Sequence, residues 1–215
     1  MIRLGPRRLE RLVAVGAHCD DIAIGAGATL LATCLERPGI RVDALVLCGG
    51  GGEREREERA ALAAFCPGAE VRLTVAKLPD GRLPARWEEA KAAVEELRGQ
   101  SDPDLVLAPR TDDAHQDHRV LARLMTTAFR DHLVLGYEIV KWDGDLGRMA
   151  AYQPLSPEIA ERKAGLLLEH YPSQRHRPWY DREAFLGLAR IRGIECHARY
   201  AEAFAVTKLT LDLGD

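Results

Sequence analysis

The sequence predicts an α/β fold in which a mostly parallel sheet carries helices on both faces. Short apolar runs alternate with helical patterns through the first 140 residues. Strands that alternate with helices form parallel sheets, because each crossover places a helix against one face. After residue 140 the alternation gives way to a turn-rich, aromatic stretch, which predicts a C-terminal helical and loop cap.

Five apolar runs are predicted as strands of the core, because each is short, rich in Val, Leu and Ala, and followed by loop-forming residues. In chain order they are residues 11–17, 42–48, 71–75, 104–108 and 132–140. The first run has Gly16 near its exit, and the second is closed by four glycines, from Gly49 through Gly52. A last strand is predicted at residues 203–208.

The stretches between these strands are predicted as helices. Residues 24–35 are rich in Ala and Leu, and residues 53–65 have Glu and Arg in the first turns and Ala afterwards, a composition that favours helix. The remaining helices are predicted at residues 86–97, 116–129, 156–168 and 182–192.

The chain of 215 residues has the length of one domain. We predict one domain over residues 1–215, with an α/β core over 1–140 and a cap with the last strand over 141–215. The net charge of −3, with both signs interspersed, gives no reason to expect a nucleic-acid partner. No run reaches the roughly 18 apolar residues of a membrane span.

Two further features predict a cytoplasmic protein. The N-terminal residues lack the apolar region and cleavage site of a secretory signal. The five cysteines show no C-x-x-C spacing, which is typical of reduced thiols in the cytosol. The sequence does not decide the oligomeric state, and a homo-oligomer remains possible.

A cluster of polar residues, His18-Cys19-Asp20-Asp21, directly follows the first predicted strand. Ligands of open α/β sheets bind at the carboxyl ends of the strands. Imidazole and carboxylate groups gathered there favour a divalent metal as their partner.

A second cluster, His115-Gln116-Asp117-His118, follows the strand at residues 104–108 and supplies the missing groups. Hydrolytic zinc sites use three protein ligands and keep one position for water. We expect His18, Asp21 and His118 to be those ligands. Together the two clusters predict a mononuclear metal hydrolase.

The neighbouring residues receive roles from their chemistry. We expect Asp20 to be the general base and His115 to stabilise the oxyanion and to protonate the leaving amine. We expect Asp117 to accept the second ring N–H of a ligand histidine. Cys19 is expected to be a spectator.

Other interpretations of the same residues remain open. Asp20 or Asp21 alone could cap a helix, and His115 could be an exposed loop residue. His18, Asp20 and His118 could instead form an iron site with two histidines and one carboxylate, although that motif is associated with β-sheet folds.

The two motifs together resemble those of the LmbE-like (PIG-L) family of zinc-dependent N-acetylsugar deacetylases. The family pattern is Ala-His-Pro-Asp-Asp-Glu followed by His-x-Asp-His. Residues 141–145, Ser173-Gln174 and residues 192–204 also resemble the family. The resemblance implies a Rossmann-like fold, zinc or another divalent metal such as Fe or Mn, an N-acetylated amino sugar as small-molecule substrate, and the same roles for the five residues at the two motifs. Cys19 replaces the family's Pro, and Ile22 replaces its Glu.

Substrate contacts are predicted from position and type. Arg54 and Arg56 follow the glycine run and could contact sugar hydroxyls or a phosphate, and Trp142 in the cap could stack on a sugar ring. The Glu/Arg pattern of the helix predicted at residues 53–65 fits a solvated face with i,i+3 and i,i+4 pairs better than it fits substrate contacts.

Two other functions stay open at this stage. The run from Gly49 through Gly52 could cradle a nucleotide phosphate in a Mg-dependent transferase. A catalytically silent sugar-binding relative is the other alternative, since Ile22 departs from the family pattern.

Overall fold

The computed structural model describes residue 5 and residues 8–211 of the chain. The first and last residues of the predicted domain therefore lie outside the described residues. The strands are β1 (Arg11–Gly16), β2 (Arg41–Cys48), β3 (Glu70–Leu78), β4 (Leu105–Pro109), β5 (Val134–Tyr137), β6 (Ala151–Leu155) and β7 (Tyr200–Val206). The helices are α1 (Asp21–Glu36), α2 (Glu53–Phe65), α3 (Trp87–Gln100), α4 (Gln116–Ala128), α5 (Pro157–His170) and α6 (Arg182–Glu195).

These seven strands form one sheet in the order β3-β2-β1-β4-β5-β7-β6. The first five strands are parallel, whereas β7 runs antiparallel to both β5 and β6. The prediction of a mostly parallel α/β sheet is confirmed.

The sheet is covered on both faces, and β1 shows how the sequence achieves this. Leu12 and Ala14 pack in one core with α1, α2 and α5, whereas Val13 and Val15 pack in a second core with α3 and α4. A strand buried on both sides needs a continuous apolar run rather than an alternating one. The continuous apolar run of β1 therefore reflects the central place of this strand in the sheet.

The C-terminal region differs from the predicted cap. Besides α5 and α6 it contributes two strands to the main sheet, of which β6 was not predicted and β7 begins three residues earlier than predicted. β6 lies at the edge of the sheet and exposes Gln153 and Pro154. An edge strand with one open side needs no apolar run, so the hydrophobic pattern could not reveal it.

Other boundaries also shift. Helix α1 begins at Asp21 rather than at residue 24, β3 extends to Leu78, and β5 is shorter than the predicted strand. A short 3₁₀ turn, Leu83–Arg86, precedes α3. These shifts place Asp21 on the first turn of α1 and bring Asp80 into the loop that follows β3.

The late segment that resembles the family has a structural role at Glu202. This buried carboxylate of β7 accepts hydrogen bonds from Thr29 N and Oγ1 and from Lys163 Nζ, and thereby ties α1 and α5 to the sheet. Within the described part of the chain, no helix is both long and apolar enough to cross a membrane.

Candidate metal centre

The two polar clusters meet where the order of the strands reverses. β1 pairs with β2 on one side and with β4 on the other, and all three run parallel. The loops that leave β1 and β4 therefore open at the same edge of the sheet, at the switch point where such sheets bind ligands. His18 follows β1, and His115 begins the turn into α4.

Three donor atoms converge at this edge. His18 Nδ1 lies 3.3 Å from His118 Nε2 and 3.5 Å from Asp21 Oδ2, and His118 Nε2 lies 3.3 Å from Asp21 Oδ2. Ligand atoms held at 2.0–2.1 Å by a tetrahedral zinc ion lie about 3.3 Å apart. The three atoms thus have the spacing of one face of a metal coordination sphere.

The backbone of the first loop orients Asp21. Its Oδ2 accepts hydrogen bonds from Ala17 N at 2.9 Å and from His18 N at 2.8 Å. Because these bonds fix the carboxylate within its own turn, its position does not depend on solvent or on a distant side chain.

A carboxylate lies close to the second ring nitrogen of both His18 and His118. Asp117 Oδ2 lies 3.2 Å from His18 Nε2, and Asp113 Oδ2 lies 3.0 Å from His118 Nδ1. Asp80 Oδ1 adds a second carboxylate at 3.0 Å from His18 Nε2. Carboxylates in such positions fix the tautomer and orientation of metal-binding imidazoles. Sequence reasoning found Asp117 but missed Asp113 and Asp80.

These carboxylates give the centre a strong preference for positive charge. Burial lowers the pKa of His118, but Asp21 and Asp113 outweigh it and raise the pKa to about 9. Burial likewise lowers the pKa of His18, and Asp21 and Asp117 raise it well above its ordinary value. A divalent cation satisfies the same preference, so the electrostatics and the donor set fit a metal ion.

His115 is the N-cap of α4, and its Nδ1 accepts the Asp117 N–H at 3.2 Å. This bond assigns the ring proton to Nε2. Burial and the neighbouring His118 and His18 lower the pKa of His115, which favours the neutral ring. His115 is therefore a hydrogen-bond donor to the cavity rather than an exposed loop residue.

The three histidines also form a second set that could hold a metal ion. Donor atoms of His18, His115 and His118 lie within 4.8 Å of one another. The set with Asp21 is tighter, at 3.3–3.5 Å. Donor atoms of His18, Cys48 and Asp117 also lie within 4.8 Å of one another.

Asp20 occupies the N-cap position of α1 but makes no capping hydrogen bond. Its backbone is left-handed, with φ 110°, a conformation that costs a non-glycine residue roughly 1–3 kcal/mol. Its Oδ1 lies 3.3 Å from Arg54 Nη2. Burial raises the pKa of Asp20 to about 7, against the lowering effect of Arg54. Strain and a raised pKa are typical of a functional carboxylate.

A cavity of about 440 Å³ opens over the centre. Arg54 and Trp142, two of the predicted substrate contacts, line it, whereas the third, Arg56, is exposed on α2 and is absent from its lining. Trp142 is 65% exposed and stands edge-on to Trp179, with ring centroids 6.5 Å apart. Arg177, which sequence reasoning missed, also lines the cavity.

Two N–H groups of the glycine loop after β2 are already used in hydrogen bonds within the protein. Gly51 N donates to Glu55 Oε2 at 2.6 Å, and Gly50 N donates to Ala76 O at 3.0 Å. Gly49 has φ 104°, and a Cβ there would lie 2.8 Å from Cys19 Sγ, so this position requires glycine. The loop packs closely against the first motif.

The start of α2 differs from the predicted solvated face. Arg54 is half-buried, and Glu57 and Glu58 are buried. Cys19 is also buried, and its thiol lies 3.5 Å from Cys48 O as a donor. Burial raises the pKa of Cys19 far above its ordinary value, which keeps the thiol protonated.

The fold and the centre together define an α/β protein with a histidine and carboxylate cluster of the metal-binding type at its switch point. Residues 13–129 match the GlcNAc-PI de-N-acetylase (PIG-L) family, and the chain belongs to that family. The resemblance of the two motifs to this family is thereby confirmed. Membership supports an enzyme that acts on N-acetyl groups.

One curated relative and one solved structure illustrate what the chain is similar to in sequence and in fold. The uncharacterized deacetylase YaiS of Escherichia coli K12 is 30% identical over 139 residues, which cover 59% of this chain and 72% of YaiS. The conserved protein TT1542 from Thermus thermophilus superposes with a TM-score of 0.73 at 24% identity, covering 96% of this chain and 98% of its own.

An enzyme of stated activity has the same fold. N,N'-diacetylchitobiose deacetylase from Pyrococcus horikoshii gives a TM-score of 0.72 at 18% identity, over 93% of this chain and 84% of its own. At this identity the similarity shows the fold alone.

Proposed function

We propose that this protein is a zinc-dependent deacetylase that removes acetyl from an N-acetylated amino sugar or its conjugate. The observation that carries the proposal is the triangle of His18 Nδ1, Asp21 Oδ2 and His118 Nε2, with sides of 3.3–3.5 Å. Family membership supplies the reaction class. The fold by itself would not, because one fold serves many reactions.

His18, Asp21 and His118 would hold the metal. Two nitrogens and one oxygen are a common ligand set for catalytic zinc, and Fe or Mn are accepted by similar donors. A metal bound there supplies a Lewis acid that polarises the amide carbonyl and lowers the pKa of water.

Asp20 would move the proton, and His115 would stabilise the charge that develops on the substrate. Asp20 takes a proton from the attacking water at a carboxylate oxygen, and Arg54 beside Oδ1 orients that carboxylate. His115 directs Nε2–H to the oxygen that gains negative charge. Because its ring is neutral and Nδ1 already accepts the Asp117 N–H, His115 has no second proton to give, so the departing amine receives the proton that Asp20 took from the water. Asp113 and Asp117 hold the ligand rings in place.

The substrate class has two supports besides the family name. The cavity has aromatic residues at its wall, Trp142 and Trp179, which suit the apolar face of a sugar ring. Arg54 and Arg177 supply donors for hydroxyl groups. We propose that the protein acts in the cytoplasm on a small molecule.

The test is acetate release from a panel of N-acetylated sugars, including monosaccharides, glycosides and nucleotide sugars. We expect acetate and free amine in equal amounts from at least one of them. Metal binding without any release would favour the catalytically silent relative. Product formation that requires a nucleotide would favour the transferase, although the N–H groups of Gly50 and Gly51 are already occupied.

A prediction for His115 separates its catalytic role from a ligand role. We expect His115→Ala to lower kcat with unchanged metal content, because its contact to substrate forms in the transition state. Elemental analysis and steady-state kinetics on the same preparation test this. Loss of the metal would show that the set of three histidines holds it instead.

A second prediction concerns Asp117. We expect Asp117→Asn to weaken metal binding by roughly 10–100-fold, as is usual for groups that support a ligand. Titration against a chelator of known affinity measures the effect. Asp143→Asn is the matched control, because Asp143 lines the same cavity and pairs with Lys141 rather than with a histidine. Equal affinities in the two variants would contradict the role.

A further inference from the structure

A buried carboxylate, Glu58 on α2, lies beneath the first motif and has no part in the proton transfers above. Its side chain is fully buried. Oε2 accepts hydrogen bonds from Asp20 N at 2.8 Å and from Tyr171 Oη at 2.7 Å, whereas Oε1 has no hydrogen-bond partner among the described residues. Burying a carboxyl group with an unpaired oxygen costs stability. A group retained at such a cost is expected to have a role, and its hydrogen bond from Asp20 N indicates which role.

The peptide unit between Cys19 and Asp20 is held from both sides by α2. Its N–H donates to Glu58, and its carbonyl, Cys19 O, accepts from Arg54 Nη2. The same Arg54 nitrogen lies 3.3 Å from Asp20 Oδ1. Arg54 and Glu58 are four residues apart, so they stand on one face of the helix. We call the two hydrogen bonds, from Asp20 N to Glu58 and from Arg54 to Cys19 O, the peptide clamp.

The peptide clamp accounts for the left-handed backbone of Asp20. With the peptide plane fixed, the φ of 110° decides the direction in which the Asp20 side chain leaves the loop. A relaxed Asp20 with negative φ would point its carboxylate elsewhere. Strained residues persist only where their surroundings hold them, and the two hydrogen bonds of the peptide clamp hold the peptide that precedes the Asp20 Cα.

The other carboxylate of the first motif, Asp21, already accepts two backbone hydrogen bonds within its own turn and does not hold the Asp20 peptide. Position 22, where the family pattern has Glu, is Ile22, which is fully buried in the apolar core. Glu58 reaches the same loop from the neighbouring helix. Burial raises the pKa of Glu58 to about 8, so the group is largely uncharged at neutral pH and tolerates its apolar surroundings.

We propose that Glu58 is a positioning residue that holds Asp20 in its active orientation through the peptide clamp. The inference rests on the proposed function for the role of Asp20, but the clamp itself is a property of the fold.

The kinetic test compares Glu58→Leu with Glu58→Gln. Glutamine keeps an acceptor for Asp20 N and resembles the uncharged carboxyl group, so we expect its kcat to stay near that of the wild type. Leucine keeps the bulk but accepts no hydrogen bond. We expect it to lower kcat by about 10²-fold, as a displaced catalytic group does, with KM and metal content unchanged. Glu58→Met serves if the leucine variant does not fold.

A double-mutant cycle shows whether Glu58 acts through Asp20. We expect Glu58→Leu to have no further effect on kcat in an Asp20→Asn background, because the group it positions is gone. A purely structural role would lower the melting temperature of both backgrounds and leave kcat per folded, metal-loaded enzyme unchanged. An equal loss of kcat in both backgrounds would overturn the proposal.

A structural readout separates this inference from the proposed function. In crystals of Glu58→Leu we expect Asp20 to adopt a negative φ and to lose its contact with Arg54, whether or not the wild type releases acetate. If Asp20 keeps its positive φ in that variant, the peptide clamp is wrong. If Asp20 changes its φ in that variant as expected, but the wild type cleaves no N-acetylated sugar, then the proposed function fails and the peptide clamp stands.

Discussion

Replacing Asp20 by asparagine is expected to lower kcat by roughly 10²-fold or more, the usual effect of removing a general base. Asparagine keeps the size and an acceptor oxygen for Arg54, but it cannot take a proton. Metal content and melting temperature should stay close to those of the wild type, because Asp20 is absent from the tight triangle of donor atoms. Kinetics and elemental analysis on one preparation measure both quantities.

The matched control for this variant is Asp143→Asn. Asp143 lines the same cavity as Asp20, but it lies in the loop after β5. We expect it to keep kcat within a small factor. If Asp20→Asn loses its metal, then Asp20 is a ligand, as in the alternative site with two histidines and one carboxylate.

Replacing His118 by alanine is expected to weaken metal binding by more than about 100-fold, beyond the effect of a supporting residue. His118 is 3% exposed, and its Nε2 is the corner of the donor triangle that lies 3.3 Å from both of the other donor atoms. Activity should fall to background, because the remaining pair of ligands leaves the cation weakly held. Metal per chain after gel filtration, together with the rate at saturating substrate, tests this prediction.

His132→Ala controls for the general effect of removing a histidine. His132 lies just beyond the other end of α4 and packs against Phe129, away from the cavity. Its loss should reduce stability modestly and leave metal binding intact. Undiminished metal content in His118→Ala would contradict the assigned ligand set.

The sequence revealed the parts of the fold and the centre that depend on local patterns. Central strands such as β1 are apolar on both faces, so they stand out as continuous runs. His18 and His118 lie in compact polar clusters directly after such strands, and their convergence follows from parallel pairing. Edge strand β6 has neither property, and it was missed.

Residues whose role depends on tertiary packing could not be identified in this way. Asp113 stands beside Asp112 in a loop, and nothing in that pair shows which carboxylate is buried against His118. Glu58 lies among alternating Glu and Arg residues that fit an exposed helix. Only the packing of α2 against the first motif separates it from its solvated neighbours. β3 extends beyond its apolar run to Leu78, and this length places Asp80 in the following loop beside His18. The apolar pattern alone could not indicate that position.

We propose that deacetylation by this protein depends on a metal ion held at the two histidine motifs. The most direct measurement is acetate release by the wild-type protein as purified, after removal of metal with a chelator, and after addition of one equivalent of zinc per chain. We expect acetate release from an N-acetylated amino sugar, its loss on chelation, and its recovery with zinc in the wild type but not in His118→Ala. Acetate release that persists undiminished in the metal-free protein would contradict this proposal.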